Sequence, residues 1–298
     1  MDEIAINNVS ELLNILSIVK FNFGIDNRIK KLFMYRGHPS VDYKLIPSIF
    51  RMYKKEGDKN EYYKYPLIEE NEMYMHFIKE AKSYIKNIDD NTNGGYLEWL
   101  VYAQHFGVPT RLLDFTHNPL VALYFACSKE EKEDGAIWIF NLINYKNFHS
   151  KILKNEPDVN ENTTKNELIY EIISELKNET FRCSKFPIHF IPYYLDERMS
   201  AQASSFLLWG EDERPFEEMI NNENYINISS AKNGISIDYE GKSEEFVLKI
   251  LIPHEKKKTI LEELDLLGVN PKSIFPGLDG IGKYIENYYN VEGKLFLR

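Results

Sequence analysis

Gln104-His-Phe-Gly-Val-Pro-Thr-Arg-Leu-Leu-Asp-Phe-Thr-His-Asn-Pro-Leu-Val-Ala-Leu-Tyr-Phe-Ala-Cys127 is the stretch that decides the fold of this 298-residue chain. It places polar residues between two apolar helical patterns. Gly107 and Pro109 predict the end of the first helix. Asn118 and Pro119 predict the start of a second, because proline in the first turn misses no backbone hydrogen bond. The residues after Pro119 are apolar on nearly every side, which predicts a buried helix. Polar residues in front of a buried helix suggest the floor of a polar pocket.

The polar residues between the two helices predict a short connector. Thr110, Arg111, Asp114, Thr116 and His117 all lie within eight positions of one another. Two interpretations stay open for the charged pair. Either Arg111 and Asp114 bind each other and hold the loop, or both face a ligand in the pocket.

Composition limits the classes of function. Apolar residues make up 43% of the chain and aromatic residues 14%, which is enough for a core and argues against disorder. The net charge of −10 argues against a duplex-DNA binder, since such a protein needs a basic face. Two cysteines, Cys127 and Cys183, form no disulfide framework. Without an apolar run of about 18 residues or a basic leader, we expect a cytoplasmic protein that does not enter a membrane.

Helix and strand patterns alternate without a regular βαβ order, which predicts an α+β fold with a mixed or antiparallel central sheet and surrounding helices. The predicted strands are 31–37, 136–140, 188–193 and 246–252, with a short polar helix and an apolar strand within 197–209. The predicted helices are 8–19, 68–85, 96–106, 120–127 and 254–267, followed by a terminal helix pair within 272–289. We expect one domain over residues 1–298.

Three stretches are predicted to lie at the surface. Residues 52–65 are charged and predict an exposed loop. Residues 143–180 are polar and predict an insertion on the rim, with one helix over 167–176. Lys256-Lys257-Lys258 predicts a solvated helix face rather than a phosphate site.

The chain lacks the sequence motifs that identify nucleotide-binding, metal-binding and nucleophile sites most specifically. There is no P-loop, GxGxxG, HExxH or GxSxG motif. Asp89-Asp90 and the pair His105 and His117 lack a third ligand at the right spacing, so we predict no metal site. Three polar clusters remain, at residues 36–38, 110–116 and 198–202.

Three motifs resemble the FRG domain, a bacterial and phage-associated family named for a Phe/Tyr-Arg-Gly motif. They are Tyr35-Arg36-Gly37 with the following Leu45, Pro47 and Arg51; residues 103–116 with Ala122-Leu123-Tyr124-Phe125-Ala126; and Arg198-Met199-Ser200-Ala201-Gln202 with Phe206. The resemblance runs from about residue 30 to 280. The middle block is the most specific of the three.

A second resemblance, to the ADP-ribosyltransferase fold, starts from the first of these motifs. In that fold a first strand ends in Arg or His, and the backbone of the next residue holds the nicotinamide amide, so Arg36 and Gly37 look similar. A later strand brings a Ser, Thr or Tyr beneath the nicotinamide ribose, which implies Thr116 or Tyr124.

The third motif departs from the ADP-ribosyltransferase pattern. A third strand of that fold usually carries a catalytic Glu, whereas this chain offers Gln202, with Glu211 and Glu213 further along. A neutral amide stabilises a developing cation poorly. Catalysis then requires a carboxylate from elsewhere, which Asp114 can supply, and either Asp114 or Gln202 orients the ribose.

Two functional hypotheses follow from the resemblances, beside the reading that the polar network only fixes the fold. The first is an effector of toxicity or anti-phage defence that transfers ADP-ribose from NAD to a macromolecule or hydrolyses NAD. The second is a non-catalytic module that binds a nucleotide or a peptide. For the enzyme, the candidate catalytic residues are Arg36, Asp114 and Gln202, and the candidate NAD-binding residues are Arg36, Gly37, His38, Arg111, Thr116, Tyr124 and Arg198.

Overall fold

The computed structural model describes residues 4–22, 32–51, 67–89, 91–154, 165–177, 186–210, 212–226, 228–231, 234–237 and 244–290. Within these residues, nine strands lie in two sheets. They are β1 Ile4–Ala5, β2 Phe33–His38, β3 Leu112–Thr116, β4 Gly135–Asn141, β5 Ile188–Phe190, β6 Ser204–Leu208, β7 Ile228–Ala231, β8 Gly234–Ile237 and β9 Val247–Ile252. The main sheet has the order β1-β9-β4-β2-β3-β6-β5, and β7 pairs with β8. Among the strand pairs of the described ranges, β1 with β9 is parallel and the others in the main sheet are antiparallel, so this sheet is mixed.

The helices surround the main sheet. They are α1 Val9–Asn22, α2 Leu67–Ala81, α3 Asn93–His105, α4 Pro119–Cys127, α5 Leu142–Lys154, α6 Lys165–Lys177, α7 Glu197–Ala201, α8 Phe216–Met219, α9 His254–Leu266, α10 Pro271–Ile274 and α11 Leu278–Asn290. The architecture confirms the predicted α+β class. Across the part of the chain that is described, no helix is long and apolar enough to span a bilayer.

The main sheet opens between two of its central strands. β2 pairs with β4 from Phe33 to His38, and β3 pairs with β6 from Leu112 to Thr116. Between β2 and β3, within the described residues, the register holds a single pair, Tyr35 with Thr116. Beyond that pair the described residues of the two strands share no ladder, and the carbonyl oxygens of Phe33 and Asp114 accept from the side chains of His117 and Arg36 instead.

Helix α4 lies close against β2. Asn118 caps α4 by accepting a hydrogen bond from the Leu120 backbone N–H at 3.0 Å. A Cβ added to Gly37 would meet the Ala122 carbonyl oxygen at 1.9 Å. Only glycine therefore allows this approach between helix and strand. As predicted, most of α4 is buried, and Gly107 ends the preceding helix with a φ of +83°.

The prediction of a connector over residues 110–117 was wrong. Residues 112–116 are β3, in the middle of the sheet. Leu113 and Phe115 pack into one apolar cluster, while Asp114 and Thr116 alternate to the other face. The polar residues and the short length of this strand concealed its period of two.

Two surface predictions differ from the structure. The described parts of residues 143–180 form α5 and α6, and α5 was not predicted. Tyr145 of α5 and Ile172 of α6 are buried, so both helices contribute to apolar clusters. Lys257 is also buried, since its ammonium donates to the carbonyl oxygens of Pro39, Lys129 and Glu130. The predicted loop at 52–65 lies outside the described residues, as do Asp90, Cys183 and Glu211.

Candidate functional site

A cavity of about 700 Å³ lies beside the opening between β2 and β3. Its wall is formed by β2, β3, β6 and the helices α3, α4, α7 and α11 with the residues that flank them. The lining residues are Tyr35, Arg36, Gly37, Pro39, Gln104, His105, Asp114, Phe115, Thr116, Val121, Ala122, Tyr124, Phe125, Ser128, Lys129, Arg198, Met199, Gln202, Ser204, Phe206, Phe275, Lys283, Glu286 and Asn287. Residues from all three predicted polar clusters therefore meet in one cavity.

Arg36 spans the gap between the two strands. Its guanidinium donates to the backbone carbonyl of Asp114 on β3, and the same Nη1 lies 3.9 Å from the Asp114 carboxylate. The side chain thus takes the place of a ladder hydrogen bond where β2 and β3 part. Burial lowers the pKa of Arg36 to about 10, and the nearby Asp114 opposes that change. The guanidinium remains charged at neutral pH.

His38 orients Arg36 from behind the cavity. Its Nε2 lies 3.0 Å from the Arg36 Nε, and its Nδ1 lies 3.1 Å from the Tyr43 carbonyl. Because the guanidinium can only donate, Nε2 must accept and Nδ1 must carry the proton. Burial and the Arg36 charge lower the pKa of His38 to about 2, so this tautomer is neutral. His38 does not line the cavity, and its contact with a ligand would be indirect.

Asp114 presents a carboxylate to the cavity. Its side chain is 55% exposed, and its Oδ2 accepts a hydrogen bond of 2.6 Å from the Gln104 amide. The Gln104 carbonyl oxygen accepts from the Thr110 hydroxyl at 2.7 Å, and that hydroxyl accepts from the Leu112 N–H. This chain of hydrogen bonds fixes the amide with its N–H toward Asp114. The carboxylate is thus held in position while remaining accessible.

Thr116 and Gln202 form hydrogen bonds to other groups of the protein. The Thr116 hydroxyl donates to the Gln202 carbonyl and accepts from the Asn118 N–H. The Gln202 side chain donates to the Ile274 carbonyl at 3.2 Å. Both residues line the cavity, but these bonds point to a role in joining β3, α7 and α10. Gln202 lies at the end of α7, before β6, rather than on a strand.

Positive charge collects in this cavity although the protein is acidic overall. Among the described lining residues the cations are Arg36, Lys129, Arg198 and Lys283, and the carboxylates are Asp114 and Glu286. Two of the cations stand over the Phe275 ring, with distances to its centroid of 5.0 Å for the Arg198 Cζ and 4.9 Å for the Lys283 Nζ. Such an arrangement favours an anionic ligand.

A histidine of the cavity wall forms a close pair with a carboxylate. The His105 Nε2 lies 2.7 Å from the Asp196 Oδ2. Asp196 is itself the N-cap of α7, and its other oxygen accepts from the Met199 N–H at 2.8 Å. The sequence does not reveal this pair, because His105 and Asp196 are 91 positions apart and no local pattern links the two.

Arg111 does not reach the cavity. It is buried, and its guanidinium forms a two-pronged pair with Glu70 and donates to the Gly210 carbonyl. The prediction that Arg111 faces a ligand in the pocket was therefore wrong, as was its alternative, a pair with Asp114. The partner of Asp114 is Arg36. Glu70 was not a candidate because its position in α2 suggested only a polar helix face.

Tyr124 and Gly37 both line the cavity, Tyr124 from a helix and Gly37 from a strand, and their contact with NAD stays a prediction. Tyr124 belongs to α4, not to a strand, and its burial raises the pKa of the phenol. Gly37 is required by the packing of α4, so its presence needs no ligand as an explanation.

The family model of the FRG domain matches residues 31–135. No curated protein and no solved structure matches the chain. The predicted FRG domain is confirmed over the matched residues, which contain Arg36, His105 and Asp114. The match ends before Arg198 and Gln202, so the place of the third motif in the family stays a prediction.

Proposed function

We propose that this FRG-domain protein binds NAD in the cavity and cleaves the bond between nicotinamide and ribose, with ADP-ribose passing to a macromolecule or to water. The observation that carries this proposal is the Asp114 carboxylate, exposed to the cavity yet fixed by Gln104 and flanked by the charged Arg36. Hydrolysis and transfer share the same first step, in which the C1′–N bond breaks.

Charge movement in that step determines what the site must supply. When the C1′–N bond of NAD breaks, its electron pair goes to the nicotinamide nitrogen and positive charge develops on the ribose. A fixed carboxylate stabilises such a cation, particularly where water is excluded. Asp114 is the candidate for this role, because Gln202 is neutral and binds the Ile274 carbonyl.

The remaining groups suit the rest of the dinucleotide. NAD carries a diphosphate, and Arg198 and Lys283 offer two cations beside one aromatic ring. Arg36 lies next to Asp114 and offers its remaining donors to the nicotinamide ribose or the diphosphate. Tyr124, Phe125 and Phe275 provide apolar surface for a ring.

A second candidate function is a regulatory module that binds a nucleotide without cleaving it. The observation that favours it is Gln202, because the third motif offers this neutral amide and not the Glu that the ADP-ribosyltransferase resemblance implies. Both functions require that the cavity bind a nucleotide, but only the enzyme cleaves it.

Release of nicotinamide by the purified protein tests the proposal, measured with and without cell lysate. We expect release by the wild type and a loss of about 100-fold or more for Asp114→Asn, since a single electrostatic group at a transition state contributes on that order. Glu223→Gln, which also removes a carboxylate but lies outside the cavity, is the matched control. Dependence on lysate would indicate transfer, and independence hydrolysis.

Calorimetric titration with NAD separates the two functions. Binding with no release by a folded wild-type protein, in either condition, would contradict the enzymatic proposal and leave the regulatory module. Equal rates for wild type and Asp114→Asn would refute the role of Asp114.

A further inference from the structure

We propose that His105, held by Asp196, is the general base that takes the proton of the water or acceptor hydroxyl attacking the ribose. The inference rests on the proposed function. It assigns a residue to the second step of that reaction, in which a nucleophile attacks the ribose cation. A base oriented by a carboxylate is a recurring arrangement for activating an oxygen nucleophile.

The hydrogen bond to Asp196 decides which nitrogen is basic. A carboxylate only accepts, so the His105 Nε2, 2.7 Å from Oδ2, carries the proton. The Nδ1 of the neutral ring then holds the lone pair. Asp196 is fixed in turn by capping α7 through the Met199 N–H. The ring orientation is therefore set by a secondary-structure element rather than by a mobile loop.

The base and the carboxylate of the proposed cleavage step belong to one framework. His105 is the last residue of α3, and the residue before it, Gln104, donates to Asp114. Both His105 and Asp114 line the cavity. The end of one helix thus places a base and a cation-stabilising carboxylate around the same space, where a nucleophile and a ribose would meet.

Burial, rather than the charges that face it, favours the neutral form of His105. Burial lowers the pKa of His105, and the Arg198 charge lowers it further. Asp196 and Asp114 raise the pKa but do not outweigh those effects. At neutral pH the imidazole is therefore free to accept a proton, as a general base must be.

The step balances without an added reactant. The oxygen of water or of an acceptor hydroxyl forms a bond to C1′ after nicotinamide has left with the electron pair of the broken bond. The proton of that oxygen passes to the Nδ1 of His105 and then to solvent. The products are nicotinamide, ADP-ribose or its conjugate, and one proton.

The variant His105→Gln distinguishes a general base from a residue that only links α3 to α7. The glutamine amide reaches a position similar to Nε2 and can donate to Asp196, so the bond between α3 and α7 is retained while the titratable group is removed. We expect nicotinamide release to fall about 100-fold or more, as for the loss of a general base. The rate of the wild type should also fall at acidic pH, below the usual histidine pKa of about 6.5, and this limb should be missing from His105→Gln.

Two further variants provide readouts that a purely structural role would not change. Imidazole added to His105→Ala should restore part of the release. In Asp196→Asn the base remains but loses the carboxylate that raises its pKa, so the acidic limb should move to lower pH. Glu98→Gln, on the same helix but outside the cavity lining, is the control.

The outcomes distinguish this inference from the proposed function. Release by His105→Gln with the rate and acidic limb of the wild type refutes the base while the proposed function stands. Failure of imidazole to restore His105→Ala, when thermal unfolding shows that the variant is folded, also contradicts the base. A wild type that releases no nicotinamide refutes both the proposed function and the base.

Discussion

Two charged residues of the cavity are each held by an uncharged side chain. His38 accepts from Arg36 through a nitrogen whose lone pair is fixed by the bond to Tyr43. Gln104 donates to Asp114 through an amide whose orientation is fixed by Thr110. These neutral partners fix the positions of two charges that lie 3.9 Å apart and partly offset each other, so both groups are already in place when a ligand enters.

Arg198 and Lys283 are expected to contribute to the affinity for anions. Both stand within 5.0 Å of the centroid of the Phe275 ring, so they are at most 9.9 Å apart, the sum of the two distances. The double variant Arg198→Ala with Lys283→Ala should weaken NAD binding about tenfold or more at low salt, since each charge-assisted hydrogen bond contributes roughly 1.5–3 kcal/mol. The measurement is a calorimetric titration.

Salt dependence and a control variant test the electrostatic origin of this effect. The difference between wild type and double variant should shrink as salt rises. Lys258→Ala removes an exposed cation of α9 outside the cavity and should leave the affinity unchanged. An unaltered affinity in the double variant would show that the anion binds elsewhere.

At the scale of elements, the contact between β2 and α4 positions the site. Gly37 follows Arg36 on β2 and faces the backbone of α4. Tyr124 and Phe125 of that helix line the same cavity. The distance between strand and helix therefore sets both the position of Arg36 and the shape of the cavity wall.

Gly37→Ala is expected to destabilise the protein and to reduce NAD binding. The new Cβ would lie 1.9 Å from the Ala122 carbonyl oxygen and 2.7 Å from the Ala126 nitrogen, both backbone atoms of α4. Overpacking of this kind costs roughly 1–3 kcal/mol, because helix and strand must separate. Urea unfolding measures the cost.

Gly282→Ala is the matched control for that substitution. Gly282 lies within α11, and nothing stands within 4 Å of the position its Cβ would take. Alanine should stabilise α11 by about 0.5–1 kcal/mol, the usual difference in helix propensity. Similar stability changes in the two variants would show that the approach of α4 to β2 is not the reason for Gly37.

At the scale of the whole molecule, the buried and neutral His38 makes the stability of the protein depend on pH. The pKa of His38 falls to about 2 in the folded protein, whereas an unfolded histidine titrates near 6.5. The folded-state value is the lower one, so the stability is fully present above about pH 6.5 and is lost as pH falls. The slope from this group approaches about 1.4 kcal/mol per pH unit below pH 6.

His38→Gln isolates that contribution. Urea unfolding of wild type and variant at pH 7, 6 and 5 should give a difference that changes with pH, with the wild type losing more stability on acidification. Carboxylates titrate in both proteins and cancel in the comparison. Parallel pH profiles would mean that folding leaves the pKa of His38 unchanged.

The sequence by itself determined the fold class, most of the helices and the FRG resemblance, which was predicted for about residues 30–280 and which the family model matches over residues 31–135. These depend on local patterns, since apolar period, caps and glycines act over a few residues. It also identified Arg36, Asp114 and Arg198 as cavity residues, because polar residues beside buried elements are conspicuous in a pattern.

Only the tertiary structure decided which residues are partners. Arg111 binds Glu70 rather than Asp114, His105 binds Asp196, and Lys257 is buried against carbonyl oxygens. Each of these contacts joins positions 41 or more residues apart. Charge and hydrogen bonding act through space and leave no periodic trace along the chain, so the choice between a ligand-binding residue and an internal partner required the packed molecule.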